Sequence, residues 1–321
     1  MKNWNALRSH MCKVLAGLFF WLCTACSPAQ AERVSRLVVP FPPGGSLDQV
    51  ARMLVPALSA GTGQTFIVEN RPGADGALAA DYVLRHTGEE RLLLLGSSYL
   101  TTGQVQGSFK FDVLTAFKPV IQLGEFEILM VAKANGRVTD LSSLLNRLGQ
   151  GGQTFSCAAP PGQLVQACEL LDSAFPNQWL VVPFKGEAQA LQALRGGHVD
   201  VMFSTRTAAF ELIQTGRLRL IGSASARAAL PPFESAPRLG VAVPGLELLA
   251  YIGVFAAASS IENEELVRLN QIINDSLRSG SFLQFMHNAH IRPVGGSPKV
   301  MQETFLQSVE RQKKWPLPKA R

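Results

Sequence analysis

An apolar tripeptide that runs directly into three prolines and two glycines, and then into a helical stripe, sets the architecture of this chain. Leu37, Val38 and Val39 are apolar in succession, the pattern of a strand covered on both faces. Pro40, Pro42 and Pro43 fix φ and remove backbone donors, so the strand ends there. Gly44 and Gly45 admit positive φ and bring bare backbone close to any neighbour. Leu47, Val50, Leu54 and Leu58 then recur at helical spacing. Ser46 and Gln49 stand at capping-box spacing, which makes Ser46 the expected N-cap. Pro56 is expected to kink or shorten this helix. A helix N-terminus carries unpaired N–H groups and partial positive charge, and a glycine pair in front of it admits a small anion. Phe41, Pro42, Gly44, Gly45 and Ser46 therefore form a first candidate site, suited to a carboxylate or phosphate and needing no catalytic side chain.

The same alternation repeats. Phe66–Val68 and Leu92–Leu95 are apolar runs, and Ala77–Leu84 lies between them with helical character. A βαβαβ order implies a parallel sheet with right-handed crossovers, and ligands of such sheets sit at the carboxyl ends of the strands. Those ends add Ala74, Asp75, Gly76, Ser97 and Ser98 to the candidates. Ser97 and Ser98 offer neutral hydrogen bonds; Asp75 would repel an anion and is expected to turn outward or to cap the next helix. Ile121–Ala132 reads as one strand long enough to cross between two lobes. Strands at Thr154–Ala158, Leu180–Val182, Val199–Phe203 and Leu218–Ile221 then alternate with helices at Leu164–Leu171 and Ala188–Leu194. Leu248–Phe255 carries the chain back. Helices at Glu264–Leu277, Ser281–His287 and Pro298–Lys314 return to the first lobe, and the tail Trp315–Arg321 is expected to be loosely ordered. Ser204 and Thr205, at the end of the Val199–Phe203 strand, and Lys185 and Gly186, in the turn after Leu180–Val182, are second-lobe candidates. No acid is evident at that strand end, so a plain carboxylate suits it better than an amino acid, whose ammonium would call for one.

Charge narrows the partners. The 321 residues carry a formal charge of +6. Lys2, Arg8 and Lys13 precede residue 32 with no acid beside them, leaving +3 for the remainder. No long basic run appears, which argues against nucleic-acid binding. Residues 1–31 read as an export signal: a basic start, the apolar run Val14–Leu22, and a small-x-small site at Ala29-Gln30-Ala31. The expected location is the periplasm, with cleavage after Ala31 favoured over lipidation at Cys26. Cys157 and Cys168 remain in the mature chain. Two buried free thiols are expected, because sequence does not give their separation.

Four motifs carry a family resemblance. Pro40-Phe41-Pro42-Pro43-Gly44-Gly45-Ser46-x-Asp48-x-x-Ala51-Arg52 resembles the opening motif of the Bug family, the TctC-like periplasmic substrate-binding proteins of tripartite tricarboxylate transporters. Glu69–Gly76, Val182–Gly186 and Gly197–Asp200 match later motifs in the same order. The resemblance implies a type II periplasmic-binding-protein fold, two α/β lobes joined by two crossing segments with a ligand cleft between them. Lobe 1 would comprise residues 32–125 and 251–321, and lobe 2 residues 126–250. It further implies capture of a small organic acid by a monomeric receptor that delivers it to membrane transporter subunits. One turn departs from the pattern. Where the family carries Gly-x-Gly-Ser, this chain has Ala159-Pro160-Pro161-Gly162, and two prolines remove two N–H donors. Ala159, Gly162 and Gln163 stay as candidates, with Gln163 as a substitute donor.

Signs of catalysis are sparse. His287-x-x-His290 has metal-ligand spacing but no third partner, and no nucleophile elbow, Walker loop or dinucleotide fingerprint occurs. The expectation is a receptor without cofactor or metal. A periplasmic ligand sensor acting on a membrane signalling partner is the alternative, with an enzyme a more distant one.

Overall fold

The computed structural model describes residues 34–315 apart from 87, 89, 90, 161 and 226. The expected export signal, and the tail beyond Trp315, lie outside the described residues. Among the described residues no helix is long and apolar enough to cross a membrane.

Two sheets organise the chain. The first contains β1 (Val34–Val39), β2 (Thr65–Asn70), β3 (Leu92–Ser97), β4 (Phe117–Phe126), β10 (Ala250–Ala257) and β11 (Ile291–Pro293), in the order β11-β4-β10-β3-β1-β2. The second contains β5 (Ile128–Lys133), β6 (Phe155–Ala159), β7 (Trp179–Pro183), β8 (Val201–Thr205) and β9 (Leu218–Ser223), in the order β7-β6-β8-β5-β9. Each is mixed rather than parallel throughout. β1 pairs parallel with β2 and β3, as the βαβ pattern predicts, but β10 runs antiparallel to both β3 and β4. In the second sheet β5 is antiparallel to β8 and β9. β10 and β5 arrive from the other lobe, and the short β11 is also antiparallel to β4.

The helices used below are α1 (Ser46–Thr62), α2 (Ala77–Arg85), α3 (Tyr99–Gln106), α4 (Leu141–Gln150), α5 (Gln163–Ala174), α6 (Glu187–Gly196), α7 (Arg206–Gln214), α8 (Asn263–Leu277), α9 (Gly280–Asn288) and α10 (Pro298–Lys313). They cover both faces of each sheet. Leu37 and Val39 pack with Val50, Leu54 and Leu58 of α1 and Leu269 and Ile273 of α8. Val38 points the other way, among Ala79 and Val83 of α2 and Phe305 of α10. That division is why the tripeptide is apolar without alternation.

Four local expectations change. α1 runs from Ser46 to Thr62 with Pro56 inside it. One missing donor does not end the helix, because Val50, Ala51, Leu54 and Leu58 are fully buried on either side of it. The expected long crossing strand is two strands, β4 and β5, interrupted at Glu127. Glu127 is 2% exposed and ion-paired with Arg206, and its carbonyl accepts from Arg206 N at 2.8 Å. Trp315, read as part of a loose tail, is buried in the second-lobe core, and its Nε1 donates to Gly245 O. Cys157 and Cys168 are joined in a disulfide with Cα atoms 5.8 Å apart. α5 folds back along β6, the strand that feeds it, and this brings residues eleven positions apart within bridging distance.

Candidate functional site

The carboxyl ends of β1, β2, β3 and β6 meet between the lobes around a cavity of about 320 Å³. Phe41 follows β1, Ala74 and Asp75 follow β2, and Tyr99 and Thr102 belong to α3 after β3. Gly162 and Val165, at the start of α5, close it from the second lobe. Strand-end geometry thus brings together four residues expected from sequence: Phe41, Ala74, Asp75 and Gly162. Tyr99, Thr102, Gly103, Gln106, Ser108, Phe109 and Val165 line the same space and were not anticipated. Their signal was position alone: Tyr99 and Thr102 directly follow Ser97-Ser98, one helical turn into the element that leaves β3.

The first candidate corner is arranged differently from expectation. Ser46 makes no capping bond; Gly45 is the N-cap of α1. Asp48, 3% exposed, reaches back and accepts the Gly44 N–H at 2.9 Å. Its carboxylate also accepts from Arg52 Nε at 2.8 Å and Asn70 Nδ2 at 3.0 Å. Gly44, with φ of +88°, is therefore occupied by an internal anion and not presented to a ligand. The Arg52 hydrogen bond, helped by Gly44 and Asn70, lowers the Asp48 carboxyl from 3.8 to about 2 against the opposing effect of burial. A carboxyl depressed on folding stabilises the native state above its unfolded pKa and loses that contribution as pH falls through the folded value. Stability should therefore decline between pH 4 and pH 2, and Asp48→Asn should flatten that portion of an acid-unfolding curve. Equal acid sensitivity in both proteins would count against it.

Ser46 instead faces a second interlobe space of about 340 Å³, shared with Gln49, Thr207, Phe285 and Asn288. Across it, Thr207 Oγ1 donates to Ala289 O at 2.7 Å, and Phe210 lies 3.9 Å from the His290 ring.

Several other candidates serve the frame. Ser98 Oγ donates to Leu249 O at 3.1 Å and accepts from Tyr251 N at 3.0 Å, tying α3 to the returning strand. Gln163 Nε2 donates to the same Leu249 carbonyl at 3.3 Å. Ala159 is buried, and its carbonyl accepts from Phe184 N at 3.1 Å. Gly76 is buried with φ of +89°, and a Cβ there would lie 2.5 Å from the Tyr99 ring. Pro42, Gly45 and Lys185 are exposed, Ser97 is half-buried in β3, and Gly186 is the N-cap of α6.

The end of β8 also differs from its reading, because an acid does stand there. Glu187 Oε1 accepts from Ser204 Oγ at 2.7 Å and Thr205 N at 2.6 Å, and Thr205 Oγ1 lies 3.2 Å from both carboxylate oxygens. Burial pushes this carboxyl above its usual range, opposed by those hydrogen bonds. Ser204 and Thr205 are thus taken by a group from the chain itself.

The cavity has its own electrostatics. Among the described residues that line it there is no Lys, Arg or His, and Asp75 is the one formal charge. Positive potential comes from backbone: α3 and α5 begin at its wall, with Ser98 and Gly162 as their N-caps. Thr102, 7% exposed, has a hydroxyl with no hydrogen-bond partner, and so has the Tyr99 phenol. Burial, with Tyr251 nearby, raises the Tyr99 pKa, so the phenol stays neutral and able to donate. Buried hydroxyls without partners are uncommon in folded proteins. No group of three or more His, Cys, Asp or Glu among the described residues could hold a metal ion.

A family model described as "Tripartite tricarboxylate transporter family receptor" matches residues 50–316. The chain belongs to that family. It is 29% identical to the "UPF0065 protein in tcbD-tcbE intergenic region" of Pseudomonas sp. (strain P51), covering 94% of this chain and 92% of that one. It is 27% identical to protein BugT of Bordetella pertussis, over 94% and 96% of the two chains. Among solved structures, R. palustris Rpa4515 with adipate superposes with a TM-score of 0.74 at 27% identity, covering 89% of this chain and 96% of that one. A TctC solute binding protein from Polaromonas, 20% identical, superposes with a TM-score of 0.75 over 89% and 98% and shares the fold. The two α/β lobes are those of a type II periplasmic binding protein. As a receptor of this family the protein is periplasmic and serves transport rather than catalysis.

Proposed function

We propose that this receptor captures a small carboxylate in the cavity bounded by Phe41, Ala74–Asp75, Tyr99, Thr102 and Gly162, and delivers it to the membrane subunits of a tripartite tricarboxylate transporter. The observation that carries the reading is a strand-end cavity flanked by two helix N-termini and lined by Thr102, whose buried hydroxyl has no partner. Neutral donors and helix ends stabilise an anion without a countercharge. The relative solved with adipate supports the ligand class. The export signal at residues 1–31, with cleavage after Ala31, would deliver the chain to the periplasm.

Thermal-shift and calorimetric titration of the processed protein with mono-, di- and tricarboxylates tests this. A ligand at a hundred times its Kd adds about 2.7 kcal/mol of stability. Thr102→Val keeps the shape and removes the hydroxyl, and should weaken binding by roughly ten- to a hundredfold, since a hydrogen bond to a charged group contributes about 1.5–3 kcal/mol. Unchanged affinity in that variant would place the carboxylate elsewhere.

A further inference from the structure

We infer that the preferred ligand is an arenecarboxylate, a single carboxylate on a flat apolar body, rather than a compact di- or tricarboxylate or an amino acid. The inference rests on the receptor reading above and specifies the chemistry of that cavity. Charge comes first. The lining holds no cation and one acid, Asp75. The two helix N-termini contribute about half an elementary charge each, enough for one carboxylate with Asp75 solvated at the surface, and the lining holds no cation for a second or third.

Shape gives the body. Phe41, Tyr99, Phe109 and Val165 all face the cavity. The Phe41 and Tyr99 rings meet edge to face, 5.9 Å apart at 87°, an arrangement that is favourable for aromatic pairs. Phe41 is braced by its carbonyl, which accepts from Asn70 Nδ2 at 3.1 Å. Phe109 is braced from behind by Phe111, stacked at 5.2 Å, and lies against α3 where Gly103 leaves room; a Cβ on Gly103 would come within 2.4 Å of the Phe109 ring. These rings are held in place before a ligand arrives, so a flat apolar group loses little by ordering them. A small hydroxylated polyacid would leave them facing its polar atoms. Asp75 is exposed, so water screens it as a partner for an ammonium group.

The test compares benzoate, succinate, citrate and phenylalanine by isothermal titration of the processed protein. Benzoate is expected to bind at least about tenfold more tightly than succinate and citrate, the margin that burial of one ring supplies, and more tightly than phenylalanine, whose ammonium would lose hydration without a buried partner. Gly103→Ala should push Phe109 off the wall and reduce benzoate affinity by about tenfold, a larger loss than it causes for succinate, which makes no ring contact. Phe109→Ala is the second variant and should act in the same direction. Succinate, citrate or phenylalanine binding as tightly as benzoate overturns the substrate class and leaves the receptor reading standing. So does benzoate affinity that neither variant alters. Absence of binding by any carboxylate sinks the receptor reading as well.

Discussion

Replacing Arg206 with methionine should lower the unfolding free energy by about 3–5 kcal/mol, the cost of stranding one member of a buried ion pair. Arg206 and Glu127 are each 2% exposed, and Nη1 donates to Oε2 at 2.7 Å. Arg206 also donates to Leu230 O at 2.7 Å and to Pro231 O. Its guanidinium lies 4.8 Å from the Phe233 ring centroid. Glu127 Oε1 accepts from Leu230 N at 2.6 Å and from Arg292 Nη2, on β11 of the other sheet, at 3.2 Å. The cluster sits where β4 gives way to β5, so it fixes the crossing itself. Arg292 remains as a partner after the substitution, which puts the expected loss toward the lower figure. Urea unfolding measures it. The double variant Glu127→Gln/Arg206→Met should recover much of the loss, because removing both charges also removes the desolvation penalty. A single variant within about 1 kcal/mol of the parent would show that the pair does not hold the crossing.

Gly76→Ala should be nearly as damaging and should also weaken ligand binding. Two effects combine. Gly76 has φ of +89° and ψ of −6°, a conformation that costs an L-residue about 1–2 kcal/mol. The new methyl would stand 2.5 Å from the Tyr99 ring, and overpacking of this kind costs about 1–3 kcal/mol. The ring must move, and its phenol moves with it out of the cavity wall. Gly44→Ala is the control. Gly44 shares the positive φ, but a Cβ there meets nothing within 4 Å, so only the backbone penalty applies. Thermal melts and titrations on both variants separate strain from displacement. If the two lose equal stability and equal affinity, the packing of Tyr99 on Gly76 is not what shapes the site.

Much of the architecture was legible. The apolar runs at Leu37–Val39 and Leu92–Leu95 became β1 and β3, and the stripe Leu47–Leu58 became the buried face of α1. The strand-end rule led to Ala74 and Asp75, the first turn motif to Phe41 and the family resemblance to Gly162, and these four now share one cavity. The role of Gly44 in that rule did not survive, because Asp48, in the first turn of α1, occupies the amide that a ligand was expected to use. The glycine that matters for shape is Gly76, whose neighbour Tyr99 lies on a different helix.

Sequence by itself did not determine α3, α4, α7, β11 or the break between β4 and β5, but it determined most of the strands, the buried stripe of α1 and the proline–glycine turn after β1. Each depends on periodicity, proline and glycine, which act over a few residues. Only the tertiary structure decided which polar groups are already taken. Asp48 takes the Gly44 amide, Glu187 takes Ser204 and Thr205, and Arg206 takes Glu127, while the Thr102 hydroxyl is left unpartnered. A hydrogen bond or ion pair is made at about 3 Å, and a distance of that size between separate elements follows from how they pack, which no local pattern records.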